Sequence, residues 1–280
     1  MGVPTLGCDC AVCASEDPRD RRLRPSVLVR WRETGGEISD LPPFPQKNAE
    51  RMGHGEFARS GHERVVVIDT GPDFREQALR NSLTRVDAVF YTHSHADHIL
   101  GMDDLRPLSF VVYREGGPIP LYAAPETAKA LERIYEYTFS PQSTYPTRAR
   151  VQLQPLAERT LVHGVEFLRV PVQHGELEIA GFRFGRAAYL TDVSGIPESS
   201  FALLTGLDHL VLSALRHKPH PSHATVEQAA GWARRIGARQ TWLTHIAHDL
   251  GHEATNRALP DGIRLAYDGL SLFVNLETAH

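Results

Sequence analysis

The stretch His93-Ser94-His95-Ala96-Asp97-His98 decides how this chain of 280 residues is interpreted. It places four potential metal ligands within six residues, directly after an apolar run at 86–91 that predicts a buried strand. A strand end and its loop can direct such side chains in several directions. Two histidines one residue apart can therefore serve one ion, while the aspartate and histidine that follow serve a second. Imidazole and carboxylate together suit zinc, iron or manganese, and the absence of cysteine is untypical of a closed structural zinc site.

This stretch resembles the His-x-His-x-Asp-His signature of the metallo-β-lactamase superfamily. The resemblance implies an α/β fold, an αββα sandwich of two mixed β-sheets packed face to face with helices outside. It also implies three later ligands after predicted strands, which are His174, Asp192 and His245. By resemblance the metals are assigned as follows: His93, His95 and His174 bind the first ion, Asp97, His98 and His245 bind the second, and Asp192 bridges them.

A second set of motifs is similar to the PhnP-like branch, the phosphoribosyl 1,2-cyclic phosphate phosphodiesterases. The chain begins Gly2-Val3-Pro4 and continues with Cys8-x-Cys10-x-x-Cys13, and it carries Asp69-Thr70-Gly71-Pro72-Asp73-Phe74. The resemblance implies a structural zinc held by Cys8, Cys10, Cys13 and His248, which is a sound tetrahedral set. It also implies a catalytic histidine just before a helix, and His223 matches. The neighbouring His217 and His220 are interpreted as exposed loop histidines.

Composition argues against nucleic acid and membranes as partners of this chain. The net charge is −4, and no basic excess of the kind that drives nucleic-acid binding is present, although residues 19–24 form a short basic run read as a solvated loop. Only three cysteines occur, clustered near the N-terminus, where no secretion signal is visible. A metal site is therefore favoured for them, with a redox role as the alternative. No apolar run reaches the roughly 20 residues that cross a bilayer, so a cytoplasmic protein without a membrane partner is expected.

The pattern of elements predicts one domain over residues 1–280, with a Cys-rich loop at 1–25 and a flexible insertion at 32–63. Helices are predicted at 74–83, 101–112, 125–137 and 224–236, the last with a Thr225–Gln228 capping box and Gly237 as its stop. Two strands are predicted around Tyr267-Asp268-Gly269. Related chains usually begin with a further strand before Gly2, so either the start codon is misassigned or the sheet is one strand short.

The function predicted from these residues is a metal-dependent phosphodiesterase acting on a small, possibly cyclic phosphodiester such as phosphoribosyl cyclic phosphate or a nucleotide. Two divalent ions, manganese or zinc, would activate water and neutralise charge on the phosphate. His223, as imidazolium, and Asp97 are the predicted catalytic residues. Asp69 is predicted to orient a ligand histidine or a water molecule without itself binding metal. The alternative is that Asp69 is only a turn residue at the end of a strand. Tyr189 and Tyr267 are predicted to pack in the core.

Other functions stay open at this point. A tRNA 3′-processing endonuclease shares the histidine set but needs a basic arm to grip RNA, and segment 32–63 has few lysines and arginines. A lactonase or thioesterase would not explain the Cys₃His set. A non-catalytic carrier of cofactor biosynthesis is a third class, against which the complete set of seven ligands argues. A homodimer is one assembly that the sequence leaves open.

Overall fold

The computed structural model of the chain describes residues 2–34, 37–39 and 62–276. Two mixed β-sheets form the centre of this part. The first sheet has the spatial order β2-β1-β3-β4-β5-β6. Its strands are β1 (Val27–Thr34), β2 (Glu37–Ser39), β3 (His62–Ile68), β4 (Ala88–Phe90), β5 (Ile119–Ala123) and β6 (Val151–Pro155). Strands β2, β1 and β3 pair antiparallel, whereas β3 to β6 run parallel.

The second sheet contains the remaining described strands, in the reverse of their chain order. They are β7 (Arg159–Val162), β8 (Val165–His174), β9 (Leu177–Phe184), β10 (Ala187–Leu190), β11 (His209–Ser213), β12 (Gln240–Thr244) and β13 (Ile263–Leu265). The first four form an antiparallel meander, and β10 to β13 pair parallel. The parallel strands place their C-terminal ends at one edge, where loops can bring side chains together.

Helices connect the parallel strands and cover the outer faces of the sheets. They are α1 (Phe74–Arg80), α2 (Ala96–Ile99), α3 (Arg106–Gly116), α4 (Pro125–Ile134), α5 (Glu136–Phe139), α6 (Glu198–Leu203), α7 (Val226–Ile236) and α8 (His252–Ala258), with short 3₁₀ turns at Pro18–Asp20 and Met102–Leu105. None of the helices in the described ranges is both long and apolar enough to span a bilayer.

Three apolar clusters establish the layers. Between the sheets, Trp31 and Phe90 of the first pack with Phe167 and Phe182 of the second, and the Phe90 and Phe167 rings stack at 4.7 Å. A second cluster joins the outer face of the first sheet to α1, α3 and α4, and a third joins the second sheet to α6 and α7. These contacts confirm the predicted αββα sandwich with helices outside.

Several predicted boundaries were wrong, each for a local reason. The helix predicted at 101–112 is a 3₁₀ turn followed by α3, which restarts at a proline in its first turn. The helix predicted at 125–137 breaks at Tyr135, whose backbone leaves the helical region at φ −110° and ψ 41°. By contrast, α7 begins with the predicted Thr225–Gln228 capping box and ends at Gly237 in the left-handed conformation.

Segment 32–63 differs from the prediction at both ends. Residues up to Thr34 complete β1, Glu37–Ser39 adds β2, and β3 already begins at His62, so the segment's flanks extend the first sheet. The prediction of a flexible insertion otherwise falls on residues 40–61, which lie outside the described part. Of the two strands predicted near Tyr267, only β13 is present, and residues 266–276 form no strand. The single domain and the missing N-terminal strand stay predictions.

Candidate metal centre

The predicted ligands lie where strands end. His93 follows β4 closely, His174 is the last residue of β8, and His245 directly follows β12. Asp192 comes two residues after β10, and α2 carries Asp97 and His98. Because β4, β10 and β12 belong to parallel pairs, their C-terminal ends share one edge of the sandwich. That edge collects all seven predicted ligands into overlapping groups.

Three non-glycine residues at this edge have left-handed backbone. Asp69, Asp192 and His245 have φ values of 64°, 55° and 53°, and each lies just beyond a strand end. This conformation costs a residue with a Cβ atom roughly 1–2 kcal/mol, so it persists only where its surroundings enforce it. The strain is concentrated at the positions that turn a carboxylate or imidazole back over the edge of the sheet.

The first group of donors comprises His93, His95, His174 and Asp192, with ligand atoms all within 4.8 Å of one another. His95 Nδ1 lies 3.3 Å from His174 Nε2, and His93 Nε2 lies 3.4 Å from Asp192 Oδ2. His95 is exposed whereas the other three are buried, so this group is open to solvent on one side. An open side is what a hydrolytic metal site needs to admit water and substrate.

Asp97, His98 and His245 form the second group, and Asp192 lies between the two groups. Asp192 Oδ1 is 3.1 Å from His245 Nε2, and Oδ2 is 3.2 Å from His98 Nε2. Burial opposes ionisation of this carboxyl, but the facing His245, with His93 and His98 in contact, holds the pKa of Asp192 well below its usual value. The residue is therefore a buried anion in contact with both groups.

Inward-facing imidazole nitrogens test whether this set suits metal ions. Nε2 of His93, His98 and His245 is buried and lies 3.1–3.4 Å from Asp192 oxygens, but among the described residues it makes no well-aligned hydrogen bond. Buried polar atoms are ordinarily paired, and three orphaned nitrogens around one anionic carboxylate leave an unmet demand for positive charge. Divalent cations meet that demand, and imidazole with carboxylate is a donor set they accept.

Hydrogen bonds on the side away from the ligand cluster fix which nitrogen of His93, His98 and His174 faces inward. Nδ1 of His98 lies 2.7 Å from Asp69 Oδ2, and Nδ1 of His174 donates to the carbonyl of Ser222 at 2.7 Å. His93 Nδ1 lies 3.0 Å from Thr92 Oγ1, whose own hydroxyl donates to Asp69 at 2.8 Å. With these protons placed outward, the Nε2 lone pairs are free for metal ions.

Asp69 is the centre of this outer arrangement, as predicted for an orienting residue. It accepts hydrogen bonds from the Thr92 amide and hydroxyl as well as facing His98. Burial lowers the pKa of His98, but Asp69 and then Asp192 outweigh it and raise the value to about 10. A bound cation would displace the Nε2 proton, because metal and proton compete for the same lone pair. Thr92 and Ser222 were not predicted, since neither residue type signals such a role in sequence.

His223 lies beside the centre, in the loop between β11 and α7. Its ring is 4.9 Å from that of His245, nearly parallel to it, and 4.7 Å from that of His174. Burial, then the neighbouring His245, lowers the pKa of His223 to about 3. The site desolvates the ring and surrounds it with other imidazoles, which disfavours its protonated form; the predicted imidazolium role at bound phosphate stays a prediction. Its buried Nδ1 has no hydrogen-bond partner in the described part of the chain.

The two neighbouring histidines differ from one another. His217 is exposed and pairs with Glu227 at 2.7 Å, as expected for a loop histidine. His220 is only partly exposed and its ring lies 4.9 Å from that of His223, so a plain surface position is wrong for it. Tyr189 packs between the sheets as predicted, whereas Tyr267 is 40% exposed and contacts His252, contrary to the core prediction.

Cys8, Cys10, Cys13 and His248 converge at a separate site. Their sulfurs lie 3.2, 3.4 and 3.5 Å from His248 Nδ1. Ideal tetrahedral zinc bonds to sulfur and nitrogen would place these atoms about 3.5 Å apart. The amide of Cys13 donates to the Cys10 sulfur at 3.5 Å, and this hydrogen bond is the main reason that the pKa of Cys10 is lowered to about 6. A thiolate stabilised in this way suits a metal ligand better than a free thiol.

Side-chain hydrogen bonds also attach the Cys-rich loop to residues 247–252, next to His248. The buried Arg22 guanidinium donates to the carbonyls of Ala247 and Leu250 and contacts Asp20, whose carboxylate accepts from the His252 amide at 2.7 Å. The Cys-rich loop is therefore held by more than the predicted zinc site. The ion pair and its backbone hydrogen bonds would keep the loop in place without a metal ion.

Replacing Cys10 by serine is expected to release about one zinc ion per chain and to lower the melting temperature, because three ligands cannot close a tetrahedral shell. The Arg22–Asp20 ion pair and its hydrogen bonds should limit the loss of stability, so that the chain still folds. Turnover per folded molecule should stay within a few-fold of the parent. Metal content and thermal melting on one preparation provide the measurement, with Ser15→Ala in the same loop as control. An unchanged zinc count would contradict the proposed site.

A cavity of about 620 Å³ lies between β1, α1, β10 and residues 266–276. Of the predicted ligands only His245 contributes to its lining. The other six predicted ligands are not part of this cavity's lining.

Comparisons with known proteins agree with this fold and cluster. Residues 64–246, which include all seven predicted ligands, match a family model described as the beta-lactamase superfamily domain. A crystal structure titled as a new diphosphatase from the PhnP family is 47% identical, with a TM-score of 0.82, and the match covers 100% of this chain and 95% of that one. A ribonuclease Z of Mycobacterium sp. strain KMS is 26% identical over 76% of this chain and 85% of its own.

An octanoyltransferase of Porphyromonas gingivalis strain W83 is 33% identical over 98% of this chain. The match covers 49% of that protein, so this chain spans about half the length of that relative. The octanoyltransferase activity is that of a protein about twice as long as this chain.

The sandwich, the edge cluster of histidines and aspartates and the matching model together define a metal-dependent hydrolase of the metallo-β-lactamase superfamily. Within that superfamily, the chain belongs to the PhnP family.

Proposed function

We propose that this chain hydrolyses a small phosphodiester, cyclic ones included, such as phosphoribosyl cyclic phosphate or a nucleotide. The observation that carries the proposal is the position of Asp192. One buried, ionised carboxylate contacts His93 of the first ligand group at 3.4 Å through Oδ2 and His245 of the second at 3.1 Å through Oδ1. Such a shared carboxylate suits a pair of ions, and paired ions are typical of enzymes that attack phosphate esters.

Two divalent cations, manganese or zinc, are the proposed cofactors. His93, His95 and His174 would hold the first, Asp97, His98 and His245 the second, with Asp192 common to both. Bound there, the pair would lower the pKa of water toward 7 and neutralise the negative charge of the phosphate. Asp97 is proposed to act only through its ion. A third cation, zinc, would have a structural role at Cys8, Cys10, Cys13 and His248.

The chain's own residues would complete the chemistry. Hydrolysis adds water across a P–O bond, so the departing alkoxide must gain the proton that the water loses. His223 is the proposed donor of that proton, because its ring lies beside His174 and His245, one predicted ligand of each ion. A phosphate anion next to the ring would raise the pKa of His223 from its low value and favour the protonated form. Asp69 and Thr92 would hold the ligand histidines in position.

A ribonuclease acting on tRNA 3′ ends is the second candidate, favoured by the ribonuclease Z match. That match covers less of this chain and is less identical than the PhnP-family match. The chain's net charge of −4 also disfavours a large polyanionic partner. A small substrate is therefore the better proposal, with no nucleic-acid or membrane partner and with a homodimer as one possible assembly.

Metal removal and reconstitution test the proposal. After dialysis against a chelator, hydrolysis of bis(p-nitrophenyl) phosphate is expected to fall by at least about 100-fold, because water activation and charge neutralisation are both lost. Manganese or zinc should restore it. p-Nitrophenyl acetate and a precursor tRNA serve as alternative substrates under identical conditions. Faster hydrolysis of the acetate would favour a lactonase or thioesterase, and processing of the tRNA alone would favour the ribonuclease.

A further inference from the structure

The loop at 69–74 lies against α2, the helix that carries Asp97 and His98. The two backbones approach one another more closely than side chains would allow. A Cβ atom added to Gly71 would lie 2.2 Å from the carbonyl oxygen of Asp97, and one added to Gly101 would lie 2.0 Å from the carbonyl oxygen of Gly71. Backbone segments that come this close tolerate only glycine at the contact.

Space, and not backbone conformation, requires glycine at these two positions. Gly101 has a φ of −102°, and the φ of Gly71 also lies outside the left-handed region. Alanine could therefore adopt either backbone conformation, but its methyl group would have to displace a carbonyl oxygen of the facing segment. Because a Cβ atom essentially never lies within 3.0 Å of such an atom, the two segments would have to separate by roughly 1 Å.

Hydrogen bonds hold the loop at this distance from the helix. The Gly101 amide donates to the Thr70 carbonyl at 2.8 Å, and the Thr70 hydroxyl lies 2.7 Å from the Tyr91 hydroxyl, with both side chains fully buried. Arg24 also donates to the Asp73 carboxylate, through its amide at 2.8 Å and its guanidinium at 2.9 Å. The loop is therefore attached both to the segment that follows α2 and to the end of β4.

The same contact determines where two ligands of the second proposed ion lie. Asp69, two residues before Gly71, lies 2.7 Å from His98 Nδ1, and both Asp97 and His98 belong to α2. Moving the loop away from the helix would lengthen the Asp69–His98 contact and would shift Asp97 through its own carbonyl. The ligands assigned to the first ion precede α2 or lie in the second sheet, and they are His93, His95 and His174.

We propose that Gly71 and Gly101 are positioning residues that determine how tightly the second ion is bound. Their missing side chains let the loop and α2 come close enough for Asp69 to hold His98, while Asp97 keeps its place in the second ligand group. The inference rests on the pair of ions in the proposed function and adds a steric requirement outside the ligand set. Metal affinity at the second position then depends on two residues that touch no ion.

Calorimetric titration of the chelator-treated protein with manganese tests the inference without any substrate. Manganese prefers oxygen ligands to thiolates, so the Cys₃His site contributes little to the signal. The parent is expected to bind two ions, and Asp97→Ala, which removes a ligand of the second, identifies the binding step that belongs to it. Gly71→Ala and Gly101→Ala should weaken that same step by about 10- to 100-fold, the range for changes just outside the ligands, and leave the other step within about three-fold.

Gly116→Ala in α3 is the matched control, because a Cβ atom at that glycine meets nothing within 4 Å. It should leave both binding steps unchanged. Melting temperatures of the same preparations measure the strain of each added methyl group separately from metal binding. Equal weakening of both steps in a folded alanine variant would show a general structural role and overturn the inference, and so would two unchanged steps.

Tyr91→Phe decides the matter if the alanine variants do not fold. It removes the hydroxyl beside Thr70 without adding an atom, so it should fold and weaken the second ion's binding step by a few-fold. Unchanged affinity for both ions in this variant would then overturn the inference. A parent that binds only one ion would be a different result, because it would count against the proposed pair of ions and remove the basis of the inference with it.

Discussion

Replacement of Asp192 by alanine is expected to abolish hydrolysis and to release most of the catalytic metal. The two carboxylate oxygens lie 3.4 Å from His93 of the first ligand group and 3.1 Å from His245 of the second, so one substitution removes a shared ligand from both proposed ions. It also leaves a cluster of buried imidazoles without the anion that balances bound cations. Elemental analysis and diester hydrolysis, measured on the same preparation, provide the test.

Two further variants show whether the loss belongs to Asp192 itself. Asp192→Asn retains the shape but only one good oxygen ligand, and it should also lose most of its metal. Asp261→Ala removes a carboxylate that is fully exposed before β13 and should match the parent in both measurements. Two ions retained in Asp192→Ala would exclude a bridging role for this residue.

The second large effect is expected at His223. His223→Ala should retain both ions, because the ring touches ligands without replacing one, yet it should lower turnover by about 10²–10⁴, the range for a positioned proton donor. The loss should shrink for substrates whose leaving alcohol is very acidic, since p-nitrophenoxide needs no proton to depart. Comparing an alkyl with a p-nitrophenyl diester measures this difference.

His217→Ala is the matched control for His223, because that residue lies in the same loop but faces Glu227 at the surface. It should leave turnover unchanged for both diesters. A larger loss in His220→Ala than in His223→Ala would show that the proton donor is the other histidine of the pair. Equal losses on both leaving groups would show that His223 stabilises the phosphate charge instead of protonating the alkoxide.

The metal cluster shows which ligands could be predicted from the sequence alone. The run from His93 to His98 contains four donors side by side, and that density has few explanations besides metal binding. The later ligands His174 and His245 were individually ambiguous and became interpretable only through their order along the chain. The structure brings all of them to one edge, because parallel strands end on the same side of a sandwich.

Helix ends were predicted correctly where interactions between residues close in sequence determine them. The capping box of α7 depends on two side chains three residues apart, and it was predicted correctly. The break at Tyr135 and the 3₁₀ turn before α3 were not, because packing against the first sheet decides where those helices end. Propensity along the chain carries no information about that packing.

The sequence determined the fold class through the His93–His98 signature, and its resemblance to the metallo-β-lactamase superfamily and to the PhnP-like branch predicted the seven ligands and the Cys₃His set. Only the tertiary structure decided that Thr92 and Ser222 contact the predicted ligand histidines, that burial lowers the pKa of His223, and that Arg22 and Asp20 attach the Cys-rich loop to residues 247–252. These roles depend on distance and desolvation. Both arise between residues far apart in the chain, where no local pattern records them.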